Sequence, residues 1–422
     1  MGRLPALLVS ISASTPSMET EPDLAQPARR RALRFAAAAA IVPALPALSA
    51  FGAAQVVAHP ATADAAHNEP SPASGMSAAQ PTARYLAARK RGTGFEAAVL
   101  DAAGHDLHTI ALPDRGHSFA LDPASRRVVA FGRQPGFFAT AFHLDGTGEP
   151  MSLEVAPDRH FFGHGAFVDA GRLLMATEND YEAGRGVLGV YDASNGGRYR
   201  RLSEFSTGGV GPHEVVALPG TGLVAVANGG ILTHPEYGKM SLNLATMQPS
   251  LSYLDVAAGD VVETVSLPPE LHQLSIRHMV VDADGRVWFG CQYMGPADDM
   301  PPLVGCHERG RPIRMFEGSA DVLRSFRNYI GSVAVDTAGG VIATSSPVGG
   351  LVAYWDAGNG RLLGTTPLPD GCGVAAGDAG QFLITSGTGE MVAAGLTSPA
   401  TRLLPASHEL AWDNHLRRVM PG

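Results

Sequence analysis

Residues 162–179 read FGHGAFVDAGRLLMATEN. A turn residue and a histidine open an apolar run, a tight turn follows, and a second apolar run closes the phrase. The phrase returns as RGHSFALDPASRRVVAFGR (115–133), GPHEVVALPGTGLVAVANGG (211–230) and SIRHMVVDADGRVWFGCQY (275–293). It returns again as YIGSVAVDTAGGVIATSSP (329–347) and DGCGVAAGDAGQFLITSGT (370–388), with a truncated copy, WDNHLRRV, at 412–419. Short apolar runs separated by Gly, Asp, Pro and Ser turns are the signature of paired antiparallel strands. Anchored on His117, His164, His213, His278, Ser332, Gly373 and His415, the copies lie 47, 49, 65, 54, 41 and 42 residues apart. A β repeat with this period predicts propeller blades, and seven anchors predict seven of them.

Each full copy runs on into two more strand-like segments, such as FFATAFHLD with MSLEVAP, or LVAYWDAGNGRLLGTTPLP. The expected fold is therefore all-β: a seven-bladed β-propeller of four-stranded blades over residues 82–422. The last blade has only its innermost strand, WDNHLRRV, at the C-terminus; the missing three are RYLAARKR, GFEAAVLDAAG and HDLHTIALP near the other end. One C-terminal and three N-terminal strands would close the ring and bury the edges an open stack exposes. Turns between the first two strands of each blade are minimal. The elaborate connections fall on the opposite face: Glu178–Gly186, Asn228–Ser250, Gln292–Pro302 and Ser345–Gly350. Long loops on one face of a rigid scaffold are where binding concentrates.

The 422 residues include 50 glycines and 31 prolines, carry a formal net charge of −9, and are 45% hydrophobic. With no basic block in the repeats, nucleic acid is excluded as a partner, since phosphates demand a Lys/Arg surface. Before the repeats, Arg29, Arg30, Arg31 and Arg34 precede the apolar stretch Phe35–Phe51, with Gly52-Ala53-Ala54 as a cleavage site. This reads as a twin-arginine (Tat) signal over 1–54, followed by an Ala/Pro/Ser-rich linker over 55–81. Pro43, Pro46 and the shortness of the run argue against a retained anchor, so the expected mature protein is periplasmic with no membrane span. Cys291, Cys306 and Cys372 offer no disulfide framework; Cys291 and Cys306 flank one strand connection and could pair, the alternative being three buried thiols.

Anchors that open innermost strands would bring His117, His164, His213, His278 and His415 to one channel, with Arg277, Glu214 and Cys372 beside them. Strand pleating turns only alternate neighbours inward. Converging imidazoles can coordinate Fe, Cu or Zn, and His164, His213 and His278, from consecutive blades, form the candidate trio. The competing reading makes these histidines hydrogen-bonded staples of the blades. Loop residues expected to close over the channel are Glu178, Asn179, Asp180, Asn228, His234, Gln292 and Tyr293; turn chemistry is the alternative for each. Gly116-His117-Ser118 superficially matches a nucleophile elbow, but a strand follows where that motif needs a helix. The P-loop, dinucleotide, HExxH and CxxCH motifs are all missing from the sequence.

FFGHGAF, ATENDYEAGRGVLGVYD, GPHEV, VANGGILTHP, MQPSLSYLD, LSIRHM, YIGSVAVD, SSPVGG, CGVA and WDNHL together resemble the uncharacterised bacterial family DUF1513 from about residue 82 to the end. The resemblance implies Tat export, a propeller, and genes neighbouring imelysin-type and di-haem proteins, hence iron acquisition or metal handling. It supplies no catalytic residue. The sequence-level expectation is a periplasmic propeller that binds a metal ion, a metal-containing ligand or a protein partner of imelysin or di-haem type at the channel mouth. A metal-dependent hydrolase or oxidoreductase with Glu214 or Glu178 as base is the first alternative, and a protein-binding scaffold the second.

Overall fold

The computed structural model describes residues 83–419 except positions 123 and 379; the expected signal region and linker lie outside the described residues. The described chain forms seven four-stranded antiparallel sheets, in each of which strands adjacent in the sheet follow one another around the ring. This is the seven-bladed propeller. The blades are numbered here from the copy containing His117. Their innermost strands are Gly116–Asp122, Arg159–Val168, Pro212–Leu218, Leu274–Val281, Ser332–Val335, Gly371–Ala376 and Leu410–Val419.

Blade 7 closes as expected. Leu410–Val419 pairs with Arg84–Arg91, from Arg84 opposite Val419 to Arg91 opposite Leu410, and Gly94–Leu100 and Asp106–Leu112 complete the sheet. Apolar layers seal both seams. Tyr85, Trp412 and Leu416 pack against Leu383 and Met391 of blade 6, while Leu86, Val99 and Ile110 pack against Phe119, Val128 and Phe142 of blade 1. Each such fully buried side chain is worth roughly 1.5–3 kcal/mol, so the terminal strand is held by packing as well as by its hydrogen-bond ladder.

Three local features depart from or add to the sequence expectation. A short helix, Ala320–Phe326, capped by Ser319 and anchored by buried Phe326, fills the long interval between blades 4 and 5. Glu178, Asn179 and Asp180 are not loop residues: the second strand of blade 2 runs Leu173–Asp180, and Arg185 and Gly186 pair opposite its end. Cys291 and Cys306 do not pair. They lie on neighbouring strands, but Cys306 sits opposite Trp288, leaving Cys291 three positions, about 10 Å, along the strand and beyond disulfide reach. All three cysteines are free and buried, and burial pushes the Cys306 and Cys372 thiols up to about 12. Among the described residues no helix is long and apolar enough to cross a membrane.

Candidate metal centre

The five anchor histidines meet. Ring centroids lie 4.7 Å apart for His117–His415, His164–His415 and His278–His415, 4.8 Å for His213–His278 and 4.9 Å for His117–His164 and His164–His213. Simple pleating does not achieve this. Each histidine-bearing strand slips register at its histidine: between Gly116 and Phe119, Phe161 and Gly165, Pro212 and Glu214, Ile276 and His278, and opposite Ala87 and Arg89 in blade 7. Bulges re-aim side chains, and here they let the consecutive residues His213 and Glu214 both face the centre. Among the described innermost strands, that of blade 5, anchored by Ser332, keeps an unbroken register.

Two glycines make the approach possible. Gly163 has φ +101°, and a Cβ there would stand 2.6 Å from the His117 ring. At Gly373, the anchor of blade 6, a Cβ would stand 3.0 Å from the His415 carbonyl carbon. A side chain at either position would push the nest apart.

The donor nitrogens form two interlocking groups, His117–His164–His213 and His164–His278–His415, each with its ligand atoms within 4.8 Å of one another. His164 belongs to both, and its Nε2 lies 3.0 Å from Nε2 of His415. The trio expected from consecutive blades is thus divided: His213 falls in one group and His278 in the other. His117 Nε2, His164 Nδ1, His213 Nε2 and both nitrogens of His278 are buried without a protein partner.

The surroundings set the protonation. Asp413 Oδ1 accepts from His117 Nδ1 at 3.1 Å, so the His117 Nε2 lone pair faces the nest. Arg277 donates to His213 Nδ1 at 3.2 Å, which places the proton of a neutral His213 on Nε2, where it blocks a metal. In the His164–His278–His415 group the Nε2 atoms of His164 and His415 are hydrogen-bonded to each other, so a metal would displace a proton shared between two of its own ligands rather than an outside donor. Burial lowers the pKa of all five imidazoles: well below the ordinary range for His164, His213 and His415, and to about 4 for His278. They are therefore neutral, the metal-competent form. Burial alone would raise Glu214, yet the basic groups around it, of which Arg417 is the one that stays charged beside neutral imidazoles, hold it well below the carboxylate range. Glu214 accepts from Arg417 at 2.5 Å and from the Met279 amide at 2.8 Å, and Oε2 stands 3.8 Å from both His164 Nε2 and His278 Nδ1. Asp413 likewise stays ionised against burial through His117, Arg133 and Arg115. Arg417 also donates to Ser118 Oγ at 3.2 Å, which gives that serine a role in the ion-pair network.

A cavity of about 230 Å3 adjoins the nest, lined by His117, His213, His278, Arg277 and Gln292 together with Thr233 and Lys239 of the long insertion. Histidines and elaborate loops do share one face. Several loop candidates nonetheless have other partners. Glu178 is buried inside blade 2, accepting from Tyr191 and Arg201 at 2.7 Å. Asn179 donates to the Thr233 carbonyl and contacts His160, and Asp180 pairs with Arg185 and Arg159. Asn228 donates to Ser250, Ser252 and the Thr207 carbonyl. His234 accepts from the Glu236 amide and reaches Glu182 at 3.4 Å. Tyr293 donates to Asp299. Cys372 borders a different cavity with Asp370 and Trp412, its thiol directed at the Thr385 and Trp412 carbonyls. Asp413, Arg115, Arg133, Arg417, Lys239 and Tyr329 escaped sequence reading, although Asp413 and Arg115, each two residues before an anchor histidine, and Arg417, two after one, had a positional signal.

Fold and site define a seven-bladed β-propeller whose innermost strands converge five buried histidines and two ionised carboxylates. Residues 110–419 match the model of the family described as Protein of unknown function (DUF1513), and the chain belongs to that family. No curated protein matches it in sequence. The fold is similar to periplasmic gluconolactonase PpgL from Pseudomonas aeruginosa, with a TM-score of 0.56 and 13% identity over 81% of this chain and 100% of that one. It is also similar to Kuenenia stuttgartiensis hydrazine synthase, with a TM-score of 0.53 and 14% identity over 74% of this chain and 90% of that one. At such identities the likeness is one of fold.

Proposed function

We propose that this protein is a metal-binding propeller, holding one transition-metal ion, Fe, Cu or Zn, between His164, His278 and His415. The carrying observation is the convergence of His164, His278 and His415, whose donor atoms all lie within 4.8 Å of one another, with His164 Nδ1 and both His278 nitrogens buried without a protein partner. An unsatisfied buried polar atom costs about 1–3 kcal/mol, so the five in this nest together rival the 5–15 kcal/mol of stability of a typical domain. A purely stapling role would account for the bonds that His117, His213 and His164 make to Asp413, Arg277 and His415, but not for the nitrogens left over. The 3.0 Å between the Nε2 atoms of His164 and His415 is close to the roughly 3.3 Å separating two nitrogens bound tetrahedrally to zinc at 2.0–2.1 Å. Glu214 supplies the compensating negative charge, and Asp413 orients His117 from behind.

The proposed setting is the periplasm after Tat export, to which Arg29–Arg31 and the apolar stretch behind them point, and iron or metal handling beside an imelysin-type or di-haem partner, which the family resemblance implies. Binding of a metal to the native state alone raises the melting temperature. Protein stripped with EDTA should melt several degrees lower than protein reloaded with its metal, and H164A should erase the difference. Identical melting with and without Zn2+, Cu2+ and Fe2+ would defeat the proposal.

A further inference from the structure

The cavity beside the nest carries a second chemistry. Arg277, Arg133 and Lys239 line it, a cationic mouth on a chain of formal net charge −9. Arg133 shares Asp413 with Arg115, whereas among the described residues Arg277 and Lys239 have no acidic partner within ion-pair distance. Arg277 Nε is buried without any partner, and burial together with Arg133 and Arg115 lowers the Lys239 pKa. An unpaired guanidinium against a cavity is costly until an anion meets it. Phe162, Ile231 and Met294 also line the cavity and suit a carbon skeleton. Tyr329 accepts from Asn414 at 3.2 Å, leaving its own proton to donate. At about 230 Å3 the cavity is too large for one inorganic oxyanion alone.

We propose that this cavity binds a small organic di- or tricarboxylate, with Arg277 and Lys239 taking carboxylates and Phe162, Ile231 and Met294 taking the carbon chain. The site goes beyond the metal reading and stands without it, because neither cation is an imidazole donor.

The test is calorimetric titration of EDTA-stripped protein at low ionic strength with citrate and succinate, and with gluconate and sulfate for comparison. Citrate should bind with a Kd of about 1 mM or tighter, and gluconate and sulfate at least tenfold more weakly. R277Q should weaken citrate about tenfold or more, and K239Q, at the exposed lip, about threefold, charge-assisted contacts being lost in both. R172Q, a distant exposed arginine paired with Asp169, should bind as the wild type does. Absence of citrate and succinate binding, sulfate binding as tightly as citrate, or wild-type affinity in K239Q would each overturn the proposal. K239Q decides the matter even if R277Q fails to fold. Metal retention is scored separately, so failure here leaves the metal reading intact.

Discussion

His117 Nδ1 stands 3.1 Å from Asp413 Oδ1, although 296 residues separate them in sequence. The contact crosses the seam where the C-terminal strand of blade 7 meets blade 1, so the closing strand also supplies an orienting carboxylate to the centre. Closure and site are the same event: without Leu410–Val419 the nest lacks both His415 and Asp413.

Asp413→Ala should therefore be among the more damaging single changes. It strands Arg115, Arg133 and His117 around a lost carboxylate, and removing one partner of a buried pair costs about 3–5 kcal/mol. Urea unfolding should show that loss.

Trp412, buried at the same seam, donates to the Gly389 carbonyl at 3.1 Å and lies under Arg89 at 4.9 Å. Trp412→Ala should cost about 3–5 kcal/mol through the cavity it leaves, with metal stoichiometry preserved in the protein that folds. A near-neutral substitution would mean the seam contributes little to ring closure.

Glu178 is a structural carboxylate of blade 2. Glu178→Gln should destabilise by roughly 2 kcal/mol, through weaker hydrogen bonds to Tyr191 and Arg201, and leave the metal content of the protein unchanged. Metal loss in that variant would place Glu178 functionally at the nest.

Glu204 gives the fold a defined acid lability. Burial would raise it, but Arg159 and Arg201 draw its pKa from 4.5 to about 2, and Arg185 adds a contact at 2.7 Å. The unfolded chain takes up this proton first, so the contribution is full above pH 4.5 and is lost as pH falls toward 2. The melting-temperature gap between wild type and Glu204→Gln should be constant above pH 5 and shrink steadily below 4.5. A gap unchanged down to pH 2.5 would remove Glu204 from the account.

The ring was legible because blade physics is periodic. Every full copy of the phrase carries its own turn, and the truncated WDNHLRRV lacks the partners that RYLAARKR, GFEAAVLDAAG and HDLHTIALP supply. The convergence of His117, His164, His213, His278 and His415 followed from their shared place in the repeated phrase, although only His117 and His213 open their innermost strands, His164, His278 and His415 lying in mid-strand. Pleating alone would have turned one of each neighbouring pair away, and the register slips that bring in both His213 and Glu214 have no signature in a single sequence. Glu178, Asn179 and Asp180 read as a loop because END is turn chemistry, yet Tyr191, Arg201, Arg185 and Arg159 satisfy those side chains and let the strand run on. Arg133, Arg417 and Lys239 were invisible because surface-like cations reveal their inward aim only through the partners they meet in space.

The most direct measurement is the metal content of natively exported protein, by elemental analysis of wild type and of the His164→Ala/His278→Ala double variant at matched purity. One equivalent of a transition metal per wild-type chain, and less than about a tenth of that in a folded double variant, is the predicted result. A folded wild-type protein with no stoichiometric metal, unable to take one up from Zn2+, Cu2+ or Fe2+, would contradict the account.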